Sequence, residues 1–223
     1  MKPTRLFYIA LSVTLLLASS CRSTPKADSQ SAADAEAENR LIAQDTTLQH
    51  ATFAMGCFWH SEEIFSEIKG VKEALPGYSG GTEPNPSYEQ VGTGTTRYAE
   101  SVEVTFDPKE ITYEKLLEVF FAEHDPTTKD YQDPDEGPQY RSAVFYHDAP
   151  QKDAIQLYIT KLTESHKYRN PIVTEVAPFT KFYKAEDYHI HYYRLHPDQG
   201  YIAHVTKPEV EKFRRDYPGL VNR

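Results

Sequence analysis

Seven residues of the chain, ESVEVTF (100–106), set polar Ser101, Glu103 and Thr105 against apolar Val102, Val104 and Phe106. A period of two predicts a half-buried strand. HATFAM (50–55), VKEALPGYSGG (71–81, ending in a glycine-rich turn), YRSAVFYH (140–147) and NPIVTEVAP (170–178) supply further strands. Between them the period lengthens. FWHSEEIFSEI (58–68) places Phe58, Ile64, Phe65 and Ile68 along one helical face. Thr112 reads as the N-cap of TYEKLLEVFFAEH, whose Leu116, Leu117, Phe120 and Phe121 form a second apolar face. Pro150 opens a third helix, PQKDAIQLYITKLTESH, at a favoured early position. The stretch KAEDYHIHYYRLHPDQGY has weak periodicity, and a long irregular C-terminal segment is expected to wrap over the core. Short strands alternating with longer helices predict a mixed α+β layer structure.

The two ends of the pattern differ. Residues 1–21 carry Lys2 and Arg5, then an apolar run too short to span a bilayer, then small residues before Cys21. That is an export signal. Leu17-Ala18-Ser19-Ser20-Cys21 resembles a bacterial lipobox, which makes Cys21 a candidate for lipidation; an ordinary cleaved signal peptide is the alternative. Residues 22–45, rich in Ser, Ala, Asp and Glu, bury too little to offset chain entropy and read as a flexible tether. The folded domain then spans 46–223, with a place in the cell envelope as the expected location.

The 223 residues hold 24 basic and 33 acidic side chains, a net charge of −9, and are 39% hydrophobic. Loss of Lys2 and Arg5 with the leader leaves 22 basic against 33 acidic, a net −11. Such a surface excludes nucleic acid and anionic lipid as electrostatic partners. Lipid on Cys21 would then be the link to a membrane.

The cysteine count directs attention to one residue. With Cys21 processed, Cys57 in GCFW is the single thiol left. An unpaired cysteine in an exported protein points to a reactive thiol or an intermolecular partner. A helix starting near Phe58 puts Cys57 at its N-terminus, where free N–H groups favour a thiolate. Gly56 lets the backbone turn and another molecule approach. An inert core cysteine beside core aromatics is the plain alternative, and these four residues alone leave the two even.

Seven motifs in order break the tie: GCFW, GYSGG, NPSYEQV, YAESVEVTFDP, HDPT, QYRSA and KFYKAEDYH. Together they resemble the peptide-methionine sulfoxide reductases of the A type, across roughly residues 50–195. The resemblance implies a two-layer α/β sandwich around a ferredoxin-like mixed sheet. It implies a cysteine nucleophile that takes oxygen from methionine S-sulfoxide, free or in oxidised proteins. By the family's motifs the nucleophile falls on Cys57 and the acid on Glu100. The two tyrosines that hold the sulfoxide oxygen fall on Tyr88 and Tyr140, the supporting aspartate on Asp135, and the wall for the substrate methyl on Phe58 and Trp59.

The chemistry of these residue types agrees. Sulfoxide sulfur is electrophilic and asks for a thiolate, while breaking its S–O bond asks for a proton on oxygen. A carboxylic acid supplies that proton near neutral pH only when burial raises its pKa. The product would be a Cys57 sulfenic acid. Many relatives resolve it with a second cysteine near the C-terminus, and QGYIAHVTKPEVEKFRRDYPGL has none. An outside thiol, a thioredoxin-like protein or a small molecule, is the implied reductant, and no other cofactor is expected. Two departures stand out: Tyr98 occupies a position two before the acid that is commonly His, and the loop before Asp135 reads Tyr131-Gln132-Asp133-Pro134. His189, His191, His196 and His204 invite a metal site, but no carboxylates complete a compact ligand set. Two rival classes are a cysteine-nucleophile hydrolase using one of the histidines and a non-catalytic peptide-binding lipoprotein.

Overall fold

A computed structural model describes residues 45–222, together with Ala37 and residues 40–42. The leader, with Cys21, and nearly all of the tether lie outside the described residues.

Strand β1 (Gln49–Met55) runs into helix α1 (Phe58–Ser66), and β2 (Val71–Ser79) follows. Helix α2 (Tyr88–Gly92) precedes β3 (Ala99–Phe106), and α3 (Tyr113–Ala122) follows it. A two-stranded ribbon of β4 (Tyr131–Gln132) and β5 (Asp135–Glu136) leads to a 3-10 turn at Pro138–Tyr140 and to β6 (Ser142–Tyr146). Helix α4 (Ala149–Glu164), strands β7 (Glu175–Pro178) and β8 (Phe182–Lys184), and helices α5 (Tyr192–Leu195) and α6 (Lys207–Asp216) complete the chain. The main sheet is ordered β7-β6-β1-β3-β2-β8. Its pairs are antiparallel except β6 with β7. The inner order β6-β1-β3-β2 is the ferredoxin-like arrangement of two crossing βαβ units.

Alternation along the strands decides what faces the helices. Phe53 and Met55 of β1 and Val102, Val104 and Phe106 of β3 point to one side, where they meet Ile64, Phe65, Leu117, Phe120, Ile155 and Phe213 in one core. Phe53 stacks on Phe65 at 5.0 Å and on Phe120 at 5.2 Å between ring centres. Ala54, Ala99, Ala143 and Phe145 form a smaller cluster of their own. By the same period of two, Glu100 falls on the side of Val102 and Val104, under the start of α1.

Boundaries follow local chemistry. The Thr112 hydroxyl accepts the Lys115 N–H, capping α3 as expected, and Asp148 caps α4 two residues before Pro150, which lies in the first turn. The strand expected over 170–178 is paired only over Glu175–Pro178. The C-terminal stretch wraps the core, but it also carries α6, whose Val210 and Phe213 are buried in the core. Among the described residues no helix is long and apolar enough to cross a membrane.

Candidate active site

Cys57 is the residue before the first turn of α1, and its own side chain makes no capping hydrogen bond. Another residue caps that turn. The Glu100 carboxylate accepts the Phe58 N–H at 3.1 Å. Strand β3 therefore delivers Glu100 to the helix end where β1 delivers Cys57. A pocket of about 230 Å³ opens beside them, lined by Cys57, Phe58, Trp59, Tyr88, Glu100, Asp135 and Tyr140, with Gln199 and Tyr201 closing it. Distant stretches of the sequence meet there.

The electrostatics are those of a dry acid. Glu100 is 2% exposed. Burial lifts its pKa to about 8, although the Phe58 N–H pulls it down and Asp135 adds a smaller push upward. At neutral pH its carboxyl is protonated. Burial also pushes the Cys57 thiol well above its usual range, and Glu100 and Asp135 add to that effect. The Trp59 N–H and the Tyr201 hydroxyl oppose it. The thiolate expected from the helix terminus is thus outweighed: desolvation exceeds the help from α1.

The tyrosines are held by their surroundings. Tyr88 starts α2, a turn closed by reciprocal hydrogen bonds between Ser87 and Gln90. Glu186 accepts the Tyr88 N–H and the Tyr78 hydroxyl, each at 2.8 Å, and so ties α2 to β2. Burial pushes the Tyr88 phenol up to about 12 and the Tyr140 phenol higher still, so both stay protonated donors. Phe58 is buried against Tyr78, Tyr88 and His189. Trp59 lies flat on Tyr192, ring centres 3.9 Å apart, and donates its indole N–H to His189 Nδ1 at 3.0 Å.

Gly56 makes the expected backbone turn, and the close approach it permits is to another segment of the same chain. It does not line the pocket. Its φ of +93° is a left-handed conformation, and a Cβ there would lie 2.9 Å from the Gln132 side chain. The close approach it permits is that of β4, which carries the 131–135 loop to the site. Asp135 is placed by this loop and accepts a short hydrogen bond from the Tyr201 hydroxyl. Tyr98, in the position commonly His, is buried and donates to the Glu83 carbonyl at 2.5 Å, outside the pocket lining.

Sequence reasoning missed Tyr201, Gln199, His189 and Glu186. Ser87 and Gln90 of the NPSYEQV motif have the spacing of a capping box, which locates α2 and hence Tyr88. Tyr201 offers no local signal, since only the wrapping of the C-terminal segment brings it to Asp135. The histidines that invite a metal site in the sequence are engaged otherwise. His189 is packed under Phe58 and Trp59, while His191 donates its backbone N–H to Glu62 and sets Nδ1 3.0 Å from the same carboxylate. Among the described residues no group of three or more His, Cys, Asp or Glu is placed to hold a metal ion.

The model of the peptide methionine sulfoxide reductase family matches residues 49–219. The chain belongs to this family. Among curated relatives, the reductase MsrA of Polynucleobacter asymbioticus is 45% identical over 175 residues, covering 78% of this chain and 92% of that one. An MsrA of Thermus thermophilus is 47% identical over 171 residues, covering 77% and 96%. Among solved structures, reduced Mxr1 from Saccharomyces cerevisiae superposes with a TM-score of 0.65 at 34% identity, covering 71% of this chain and 90% of that chain. The methionine sulfoxide reductase A of Corynebacterium diphtheriae gives 0.62 at 32%, covering 69% and 77%. The reductase is thus an A-type enzyme that reduces methionine S-sulfoxide to methionine, on an α+β fold of the expected class. The hydrolase and the non-catalytic binder find no support among these relatives.

Proposed function

We propose that Cys57 is the nucleophile of this reductase and Glu100 its acid, with the oxygen held by Tyr88 and Tyr140. The observation that carries the assignment is the Phe58 N–H to Glu100 contact, which holds a neutral carboxyl beside the thiol. The substrate methyl lies against Phe58 and Trp59. Glu100 gives its proton to the sulfoxide oxygen while the Cys57 sulfur attacks, and the thiol's proton returns to Glu100. Oxygen passes to Cys57, which is oxidised by two electrons to the sulfenic acid, and methionine leaves. The two phenols act as oxyanion donors whose hydrogen bonds strengthen as the S–O bond polarises. Asp135, tied to Tyr201, orients the wall opposite.

Cys57 is the free cysteine among the described residues, and none follows it in the sequence. Reduction of the sulfenic acid therefore comes from an external thiol, with a thioredoxin-like protein as one candidate class and small thiols as the other. Residues 46–223 act as the catalytic domain, with 22–45 as its tether. The small-residue run before Cys21 supports a lipid anchor in the cell envelope. The mechanism is tested by incubating the enzyme with a sulfoxide peptide and no reductant. One methionine per enzyme and one added oxygen on Cys57 are expected, and turnover without change at Cys57 would overturn the assignment.

A further inference from the structure

Two cavities meet at Cys57. The second, about 220 Å³, shares Cys57, Asp135 and Tyr201 with the substrate pocket but is otherwise separate from it. Its wall is acidic, with Glu123, Asp125, Asp133 and Glu209 joining Asp135. Lys212 offsets part of this charge from outside the wall, where it pairs with Glu123 at 3.3 Å and with Asp216 at 3.2 Å. One further group sets this cavity apart from a solvated acidic patch. His60, in the first turn of α1, is 5% exposed and lines the cavity, yet its Nε2 has no hydrogen-bond partner. Oε2 of half-exposed Glu209 lies 3.6 Å away, and burial, with Asp135 and Glu123 nearby, raises that carboxyl to about 7, so a cation beside it is needed to hold it fully ionised. Burial, with help from His124 and Lys212, holds the His60 pKa near 3, so the ring is neutral. A buried nitrogen left unpaired is unfavourable, and a ligand that donates a hydrogen bond to it removes the penalty.

We propose that this second cavity is the port through which the reducing thiol reaches Cys57, and that it takes a compact thiol bearing a positive charge, its ammonium set between Glu209 and His60 Nε2. The port rests on the sulfenic acid assigned to Cys57 above. The thiolate sulfur attacks the sulfenic sulfur, an S–S bond forms, the S–O bond breaks, and hydroxide leaves to be protonated as water. A second equivalent of the aminothiol attacks the mixed disulfide and frees Cys57. Two thiols are oxidised to one disulfide, which supplies the two electrons taken from the enzyme by the sulfoxide. Because the two linings share only Cys57, Asp135 and Tyr201, the thiol can reach the sulfur past residues that the substrate pocket does not use. The carboxylates attract an ammonium and repel an anionic thiol, and focusing by such a cleft changes encounter rates by about 10–10³-fold. A cysteine flanked by lysines in a peptide shares the same charge chemistry, but the cavity's size favours the free aminothiol.

The test isolates the second half-reaction. The full enzyme is brought to the Cys57 sulfenic acid with one equivalent of sulfoxide. Mixed-disulfide formation is then timed by mass spectrometry with cysteamine, 2-mercaptoethanol, mercaptoacetate and a Lys-Cys-Lys peptide, compared at equal thiolate concentration. Cysteamine is expected to exceed mercaptoacetate by roughly tenfold or more, with the peptide slower than cysteamine. Glu209→Gln and, on a different segment, Asp133→Asn should each shrink the ratio, and Glu209→Lys should turn it toward mercaptoacetate. Equal rates for the three small thiols, a ratio untouched by all three variants, or a peptide faster than cysteamine would overturn the port. If wild type forms no sulfenic acid, the nucleophile assignment falls and takes the port with it; a sulfenic acid that reacts without charge preference removes the port alone.

Discussion

Glu100 accepts the backbone N–H of Phe58 at 3.1 Å, and the two residues lie 42 positions apart in the chain. This bond occupies one carboxyl oxygen with a fixed donor and leaves the other side of the group for the site. It is also the cap that α1 lacks from Cys57. Because burial outweighs this bond, the acid is held in a form that the unfolded chain would not keep at neutral pH.

That has a measurable cost in stability. Glu100 binds its proton up to about pH 8 when folded but releases it near its ordinary 4.5 when unfolded. Between those values the native state holds more protons than the unfolded state, so its stability falls as pH rises through that window. Glu100→Gln keeps the acceptor for Phe58 and cannot ionise. Its melting temperature relative to wild type should rise steadily from pH 5 to pH 8.5. A constant difference over that range would mean that Glu100 titrates normally in the fold.

Gly56→Ala should destabilise the domain by roughly 1–3 kcal/mol, the usual cost of a side chain held at strained, positive φ. The added Cβ also meets Gln132, so the 131–135 loop that places Asp135 must shift. Chemical denaturation of the variant measures the loss. A variant as stable as wild type would show that the turn before Cys57 relaxes freely.

Tyr201→Phe removes the hydroxyl that serves both Asp135 and Cys57. Loss of one hydrogen bond of ordinary net worth, about 0.5–1.5 kcal/mol, slows the chemical step by up to roughly tenfold. Because the pair acts as a unit, adding Asp135→Asn should cost less than the sum of the two single changes. Single-turnover rates of the four enzymes give the coupling, and strict additivity would separate Tyr201 from Asp135.

Cys21→Ala should release the protein from the membrane fraction while residues 46–223, purified alone, remain active. Fractionation of cells expressing each form measures this. Wild type found wholly in the soluble exported fraction would remove the lipid anchor.

Much of this molecule is legible in its sequence, and the exceptions share a cause. The alternation in ESVEVTF places Val102 and Val104 in the core, and the same alternation carries Glu100 to the helix side. Phe58, Ile64 and Phe65 locate α1 and thereby Cys57. The ionisation of Cys57 departs from expectation because a helix terminus is visible in sequence while the depth of burial is not. Gly56 makes room for Gln132, 76 positions away in the chain. Helix α6 buries only Val210 and Phe213, three positions apart at helical spacing, in a stretch otherwise so polar that its role in the core is easy to pass over. Tyr201 and His60 acquire meaning only from long-range packing.

The most direct test of the proton's source is the pH dependence of single-turnover sulfoxide reduction by wild type and Glu100→Gln. Wild type should lose rate as pH rises through about 8, where Glu100 gives up the proton it must donate. The variant should be slower by roughly 10²–10⁴-fold, with little change in substrate binding and no such loss near pH 8. A Glu100→Gln enzyme as fast as wild type in the chemical step, or one that keeps the wild-type pH profile, would contradict Glu100 as the acid.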